Sequence, residues 1–182
     1  PQFRELIFQP YTDPENQRQY IGNPGLLDSE LINAEIRAEY YFGRGNRVSA
    51  AGFFKEIDNP IEPYVSIGAD TSFTTRFANA PAAELFGLEF DLQATQPLFD
   101  WDASGWLETK QIVFAANYTY TQSELKVGNG DTTRVFTAGV GSVENEASLF
   151  FNDGDPMTGQ SDHLLNLQLG LEDRRASCRE RV

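Results

Sequence analysis

Cysteine is almost missing from this sequence. The only one, Cys178, falls in the last nine residues, so everything before them is without a disulfide, a thiolate nucleophile or a cysteine metal site. That scarcity sets no compartment by itself, although it is compatible with an oxidising one. Histidine is as rare: His163 stands alone, with no histidine or cysteine partner to build a zinc or haem site. Positive charge is also short, with 14 Lys and Arg against 27 Asp and Glu and a net charge of -13, which argues against nucleic acid as a partner. No run of 18 or more apolar residues occurs, so no helix can span a membrane; strands, which need only about nine to eleven alternating residues, are not excluded. Neither a glycine-rich phosphate loop opening a helix nor a nucleophile elbow is present, and the chain is expected to be no enzyme and to need no cofactor. A starting methionine and a signal-like segment are missing as well, and the chain stops soon after a strand-like run, so it is expected to be a fragment or a processed piece.

What is present suffices for a core: 182 residues, 40% hydrophobic and 13% aromatic, fit one ordinary domain. Its main signal is a period of two. Along 31–42, Ile32, Ala34, Ile36, Ala38 and Tyr40 share one face while Asn33, Glu35, Arg37 and Glu39 share the other. The same alternation, weaker, runs through 47–57. It is cleanest over 85–94, where Phe86, Leu88, Phe90, Leu92 and Ala94 alternate with Gly87, Glu89, Asp91 and Gln93. Residues 110–124 repeat it with Ile112, Phe114, Ala116, Tyr118 and Tyr120, and the last strand does so with Leu165, Leu167, Leu169 and Leu171 against Asn166, Gln168, Gly170 and Glu172. A short run, 3–9, is extended in character, and 74–77 has the same look. No stretch keeps a 3.6-residue period, so the expectation is an all-β, antiparallel meander of about six strands.

If consecutive strands alternate in direction, the long connections 10–30, 58–84 and 125–162 gather at one end of the sheet, and 43–46 and 95–109 at the other. Outer-membrane barrels sort their loops in this way, the long ones facing outward from the cell. Tyr40, Tyr41 and Phe42 flank one short connection, and Phe99, Trp101 and Trp106 lie in the other. Such rings, apolar with a polar edge, suit the membrane interface, and ordinary loop packing is the alternative.

Residues 174–182 stand apart. They carry four arginines and one glutamate, whereas residues 1–173 hold 10 basic and 26 acidic side chains. Residues 175–182 resemble the in-frame translation of a common sequencing-adapter oligonucleotide, so 174–182 is expected to be a non-native tail and 1–173 the folded part.

Within 1–173 a set of short motifs follows a recognisable order. Pro1-Gln2-Phe3-Arg4-Glu5-Leu6 is followed by Gly22-Asn23-Pro24-Gly25-Leu26, then by Phe53-Phe54-Lys55-Glu56-Ile57-Asp58-Asn59-Pro60-Ile61-Glu62, by Gly87-Leu88-Glu89-Phe90-Asp91-Leu92 and by Asn117-Tyr118-Thr119-Tyr120-Thr121. This order resembles the later barrel strands of TonB-dependent outer-membrane receptors. The resemblance implies part of a large transmembrane β-barrel, which in such transporters has about 22 strands and a plugged lumen. It further implies the outer membrane of a Gram-negative bacterium and its lipid as neighbour, with apolar strand faces against the lipid and polar faces toward the lumen. The implied function is energy-coupled uptake of a scarce solute, such as a siderophore or an oligosaccharide, with the TonB protein as partner through a plug domain. The family's plug, its energy-coupling box and its final strand with a terminal aromatic have no counterpart in these residues. Its haem receptors usually carry a histidine between the first two motifs; residues 7–21 contain none, which weighs against haem as cargo.

Under this reading Arg18, Tyr20, Asn23, Tyr64 and Asp153 are the loop residues expected to touch a ligand, and no catalytic or metal site is expected. Asn152-Asp153-Gly154-Asp155 has a calcium-loop look, but it lacks the spaced ligands and distal glutamate of an EF-hand and fits a solvated turn better. Glu89 with Asp91, and Glu35 with Glu39, share strand faces as any polar wall requires. Two other classes stay open: a soluble secreted carbohydrate-binding β-sandwich, which would bury Phe86, Leu88, Phe90, Leu165, Leu167 and Leu169 between two sheets, and a secreted hydrolase, which would gather Glu89 or Asp91 in a cleft.

Overall fold

The computed structural model describes residues 2–15, 18–43, 45–67, 73–99 and 105–173; the basic tail and Trp101 lie outside them. One helical turn, α1 (Phe3–Leu6), precedes eleven strands: β1 (Tyr11–Thr12), β2 (Gln19–Ile21), β3 (Glu30–Tyr41), β4 (Arg47–Asp58), β5 (Ile61–Ile67), β6 (Phe73–Asn79), β7 (Ala82–Pro97), β8 (Lys110–Lys126), β9 (Thr132–Thr137), β10 (Gly141–Glu146) and β11 (His163–Asp173). The five strands with clear alternation form one sheet in the order β11-β8-β7-β4-β3, which is simply their order along the chain. β11 lies antiparallel to β8 in unbroken register from His163 opposite Tyr120 to Asp173 opposite Lys110. The all-β expectation therefore holds, and the meander is the wall of the fold.

Two local expectations need correction. The run 3–9 is not extended throughout, because Phe3–Leu6 closes into a turn of helix. Its cause is local: the Gln2 N–H donates to the Glu5 carboxylate at 2.6 Å and the Glu5 N–H to the Gln2 carbonyl at 3.0 Å, a capping arrangement that four residues cannot announce through periodicity. The long connections are also not structureless. They fold into a β1-β2-β6-β5 sheet and a β9-β10 hairpin, and in the former β2 runs parallel to β6.

The residues divide into two compact units, one of 1–34, 54–86 and 122–160 and one of 35–53, 87–121 and 161–182. This division follows the expected sorting of connections: the first unit holds 10–30, 58–84 and nearly all of 125–162, and the second holds both short ones. In the first unit Ala78, Ala80, Ala83, Leu125 and Phe151 make a buried cluster, with Ile57, Tyr64, Val127, Val135, Phe150 and Met157 packed against it. The alanines let backbones approach closely, and the Tyr64 ring meets Phe150 edge-on at 4.8 Å.

The second unit has two contrasting faces. Ile36, Tyr40, Leu88, Phe90 and Leu165, Leu167, Leu169 and Leu171 of β11 point out uncovered, Leu167 being 66% and Leu169 77% exposed. The other face is polar and cross-linked between strands: Arg37 meets Glu89 at 3.6 Å, Arg47 meets Asp91 at 2.9 Å, and Asn117 donates to Glu89 at 3.1 Å. Gly87 has a specific task on that side. A β-carbon there would strike the Phe53 ring and come within 2.5 Å of the Tyr120 carbonyl oxygen, so three of the quoted motifs meet where only hydrogen fits. Tyr40 stacks on Phe42 at 6.0 Å, and Lys110 sits 4.6 Å over the Trp106 ring. The aromatic side chains flanking the short connections thus belong to this unit, and Tyr40, Tyr41, Phe99 and Trp106 are all exposed.

Candidate functional site

The first unit gathers the long connections, and its geometry begins with how the motif residues hold it together. The carbonyl of Glu5 accepts from the Asn23 N–H at 2.5 Å, and that of Ile7 from the Gly22 N–H at 2.9 Å. A β-carbon on Gly22 would lie 2.5 Å from the Ile7 carbonyl oxygen and 2.6 Å from its nitrogen, so glycine is required for the turn to dock. Asn23 is only 3% exposed. Its amide nitrogen donates to the carbonyls of Phe77 at 3.1 Å and Arg134 at 2.7 Å, while its oxygen accepts from the Gly25 N–H at 2.9 Å. Asn79 is a second clip of the same kind, donating to the carbonyls of Leu27 at 3.1 Å and Asn59 at 2.7 Å and accepting from the Leu27 N–H at 2.8 Å. Asn59 itself takes a positive φ of 52°, tolerated by asparagine, where the chain turns from β4 into β5.

Glu62 is a buried carboxyl, 4% exposed, accepting from the Thr158 N–H at 3.0 Å. Burial pushes its pKa above the ordinary carboxylate value, with the Thr158 contacts pulling the other way. The folded loops therefore hold this proton to higher pH than the unfolded chain does. Stability from this group is fully present below the unfolded carboxylate pKa and is lost as pH rises through the raised folded value. Glu62→Gln is expected to flatten that dependence, seen as amide exchange at Thr158 followed over pH 4–8; an unchanged slope would refute the assignment.

A cleft of about 690 Å³ opens between α1, β1 and β2, within the range of small-molecule sites. Phe3, Tyr11 and Tyr20 line it together with Arg4, Asp13 and Glu15. Of the residues expected to touch a ligand, Tyr20 alone lines this cleft, with its ring stacked on Phe77 at 6.3 Å. Arg18 is exposed between β1 and β2, and its main-chain carbonyl accepts from the Asp13 N–H at 2.9 Å. Tyr64 is half-buried against the phenylalanines. Asp153 is exposed, and its carboxylate accepts from the Val127 N–H at 3.0 Å, tying a turn in which Asn152 also donates to Asp155 at 2.8 Å. Asn23 is buried, and its amide is engaged within the chain. Sequence reasoning missed Phe3, Arg4, Tyr11, Asp13 and Glu15. The signal available was a concentration of rings and charges, four aromatic and five charged side chains within the first twenty residues.

Elsewhere Glu89 and Asp91, the carboxylates of the hydrolase reading, do not converge in a cleft; they meet Arg37 and Arg47 respectively. His163 shares a hydrogen bond of 2.8 Å with the Tyr118 hydroxyl and stacks on that ring. Among the described residues no three His, Cys, Asp or Glu side chains are grouped to hold a metal ion.

A family model described as TonB dependent receptor-like, beta-barrel, matches residues 1–174. The chain belongs to the TonB-dependent receptors. Among curated proteins, none matches it. Members of this family are outer-membrane transporters rather than enzymes, and the meander is part of such a β-barrel. The receptor's motifs also acquire a physical meaning. Phe3–Leu6, Gly22, Asn23, Asn59, Phe53, Gly87 and Tyr120 all act on backbone geometry, as docking surfaces, clips and a close crossing.

Proposed function

We propose that residues 1–173 are the spanning wall and ligand-capturing loops of a Gram-negative outer-membrane receptor that takes up a scarce solute. Energy would come from the TonB protein acting through a plug domain. Residues 174–182 are read as foreign to it, on their reversal of charge. The observation that carries the reading is the wall with one leucine face uncovered and one face of ion pairs, joined in sequence to long connections that fold as a unit of their own. On β8 the apolar column Ile112 to Tyr120 has the residue count of a spanning strand, about 20 Å once tilt is allowed for. The outer membrane is then the neighbour of the leucine face, and a small solute the occupant of the loops.

A soluble sandwich that binds carbohydrate would need a second sheet over Leu165, Leu167 and Leu169, and these are 61–77% exposed. The deciding test is to express the full-length gene product, extract it into detergent and compare its gel migration with and without heating. Heat-modifiable migration and membrane fractionation are expected; a compact monomer that stays soluble without detergent would overturn the reading.

A further inference from the structure

The turn between β8 and β9 carries a reaction of its own. We propose that Asn129 is a site of spontaneous deamidation, a covalent modification that needs only water. Gly128, Asn129, Gly130 and Asp131 form a β-turn closed by the Asp131 N–H on the Gly128 carbonyl at 3.3 Å, with Gly130 at a φ of 89°. Asn129 and Gly130 are both exposed. Deamidation requires an unengaged side-chain amide followed directly by an unengaged N–H, both open to solvent. Among the described residues neither the Asn129 amide nor the Gly130 N–H has a hydrogen-bond partner, and the space a β-carbon would take at Gly130 is empty to 4 Å. Glycine also puts no side chain beside the attacking nitrogen.

The Gly130 nitrogen passes its proton to solvent and bonds to Cγ of Asn129, while the Cγ–Nδ2 bond breaks and Nδ2 leaves as ammonia, taking a proton back from solvent. A succinimide ring remains. Water then opens it at either carbonyl, giving aspartate by one opening and isoaspartate, with the side-chain carbon now in the main chain, by the other. Water is consumed, ammonia is released and a carboxylate is gained.

Other asparagines of the chain are protected by their surroundings. Asn23 and Asn59 precede proline, which has no N–H to react. Asn79 is buried, and the Ala80 N–H that follows it donates to the Pro60 carbonyl at 2.8 Å. At the Asn152-Asp153-Gly154 turn the Asn152 amide donates to Asp155, the Asp153 carboxylate accepts from the Val127 N–H, and the Gly154 N–H donates to the Leu125 carbonyl at 2.9 Å. Both reacting groups are therefore held there. At the 128–131 turn the reaction also reaches further, because the Asp131 carboxylate accepts from the Gly128 N–H at 2.7 Å and the Asp131 carbonyl from the N–H of buried Ala147 at 2.8 Å. A longer main chain and a second carboxylate beside Asp131 loosen both contacts.

The test holds the full-length receptor in detergent at mildly alkaline pH and follows its tryptic peptides by mass. Cleavage after Lys126 and Arg134 releases Val127 to Arg134, in which Asn129 is the sole side-chain amide. This peptide is expected to gain about 1 Da as two species of different retention, about tenfold faster for each added pH unit because the nitrogen must first lose its proton. Gly130→Ala is expected to slow the gain by about tenfold or more, and Asn129→Gln, whose ring would need one more carbon, to remove it. Amide exchange at Ala147 is expected to quicken in the aged wild type and to stay unchanged in aged Asn129→Gln. A Val127 to Arg134 peptide that keeps its mass, or a peptide holding Asn152 that converts as fast, would overturn the site; equal Ala147 exchange in the two aged proteins would overturn the loosening.

Discussion

Leu167→Arg is expected to cost about 2–4 kcal/mol of barrel stability in a bilayer, the penalty for a cation on the lipid face near the midplane. Leu167 lies near the middle of β11, opposite Ala116 on β8, and is 66% exposed. Its neighbour Gln168 points to the opposite face, since side chains alternate along a strand. Gln168→Arg should therefore change stability little, within the range usual for a surface substitution, about 0.5 kcal/mol. The comparison is made by urea titration of the full-length protein folded into phosphatidylcholine vesicles. A water-facing leucine would give two similar small effects, and equal values for the pair would sink the assignment of faces. A loss at Gln168 larger than at Leu167 would invert it.

The second large effect belongs to Asn79→Ala. Asn79 is 4% exposed and its side chain makes three hydrogen bonds to the main chain of Leu27 and Asn59. Alanine leaves the Leu27 N–H and carbonyl without these partners, while the Asn59 carbonyl keeps the Ser29 hydroxyl at 2.7 Å. Leu27 is itself 39% exposed, so water can reach the vacated groups, and the loss expected in the loop unit is about 1–2 kcal/mol. Asn79→Asp is the informative companion: its carboxylate can still accept from Leu27, but it would face two carbonyl oxygens with no donor. Hydrogen exchange read at Leu27 and across the β8–β11 ladder separates the outcomes. Exposure of Leu27 with the ladder intact is expected, and protection at Leu27 equal to wild type would show that the clip bears little of the loop stability.

The parts of this fold that were legible in the sequence are those with two different surroundings. β3, β4, β7, β8 and β11 each have an oily and a polar side, and a period of two records that difference directly. The loop strands have no such contrast. Thr74, Thr75, Phe77, Ala78 and Asn79 of β6 are all buried, so the strand shows threonine, phenylalanine, alanine and asparagine without alternation. α1 is a single turn, too short for any helical period. Asn23 could be seen to be polar and in a loop, which suggested contact with a ligand; what could not be seen was that Phe77 and Arg134, 54 and 111 residues away, turn their carbonyls toward it. The cleft was partly legible through Tyr20. Its other walls depend on α1 folding back against Gly22, a tertiary event with no local pattern.

The parallel pairing of β2 with β6 sets an order of assembly. β5 and β6 are neighbours in the chain and pair antiparallel from Ile61 opposite Asn79 to Ile67 opposite Phe73, a local closure. β2 reaches β6 only by closing a span of 55 residues, with Gln19 opposite Thr74. Long closures carry the larger entropic barrier, so the hairpin should form early and act as the template to which Gln19–Ile21 is added late. Late addition of Gln19–Ile21 to a hairpin already formed is the kinetic signature this parallel ladder writes into the loop unit.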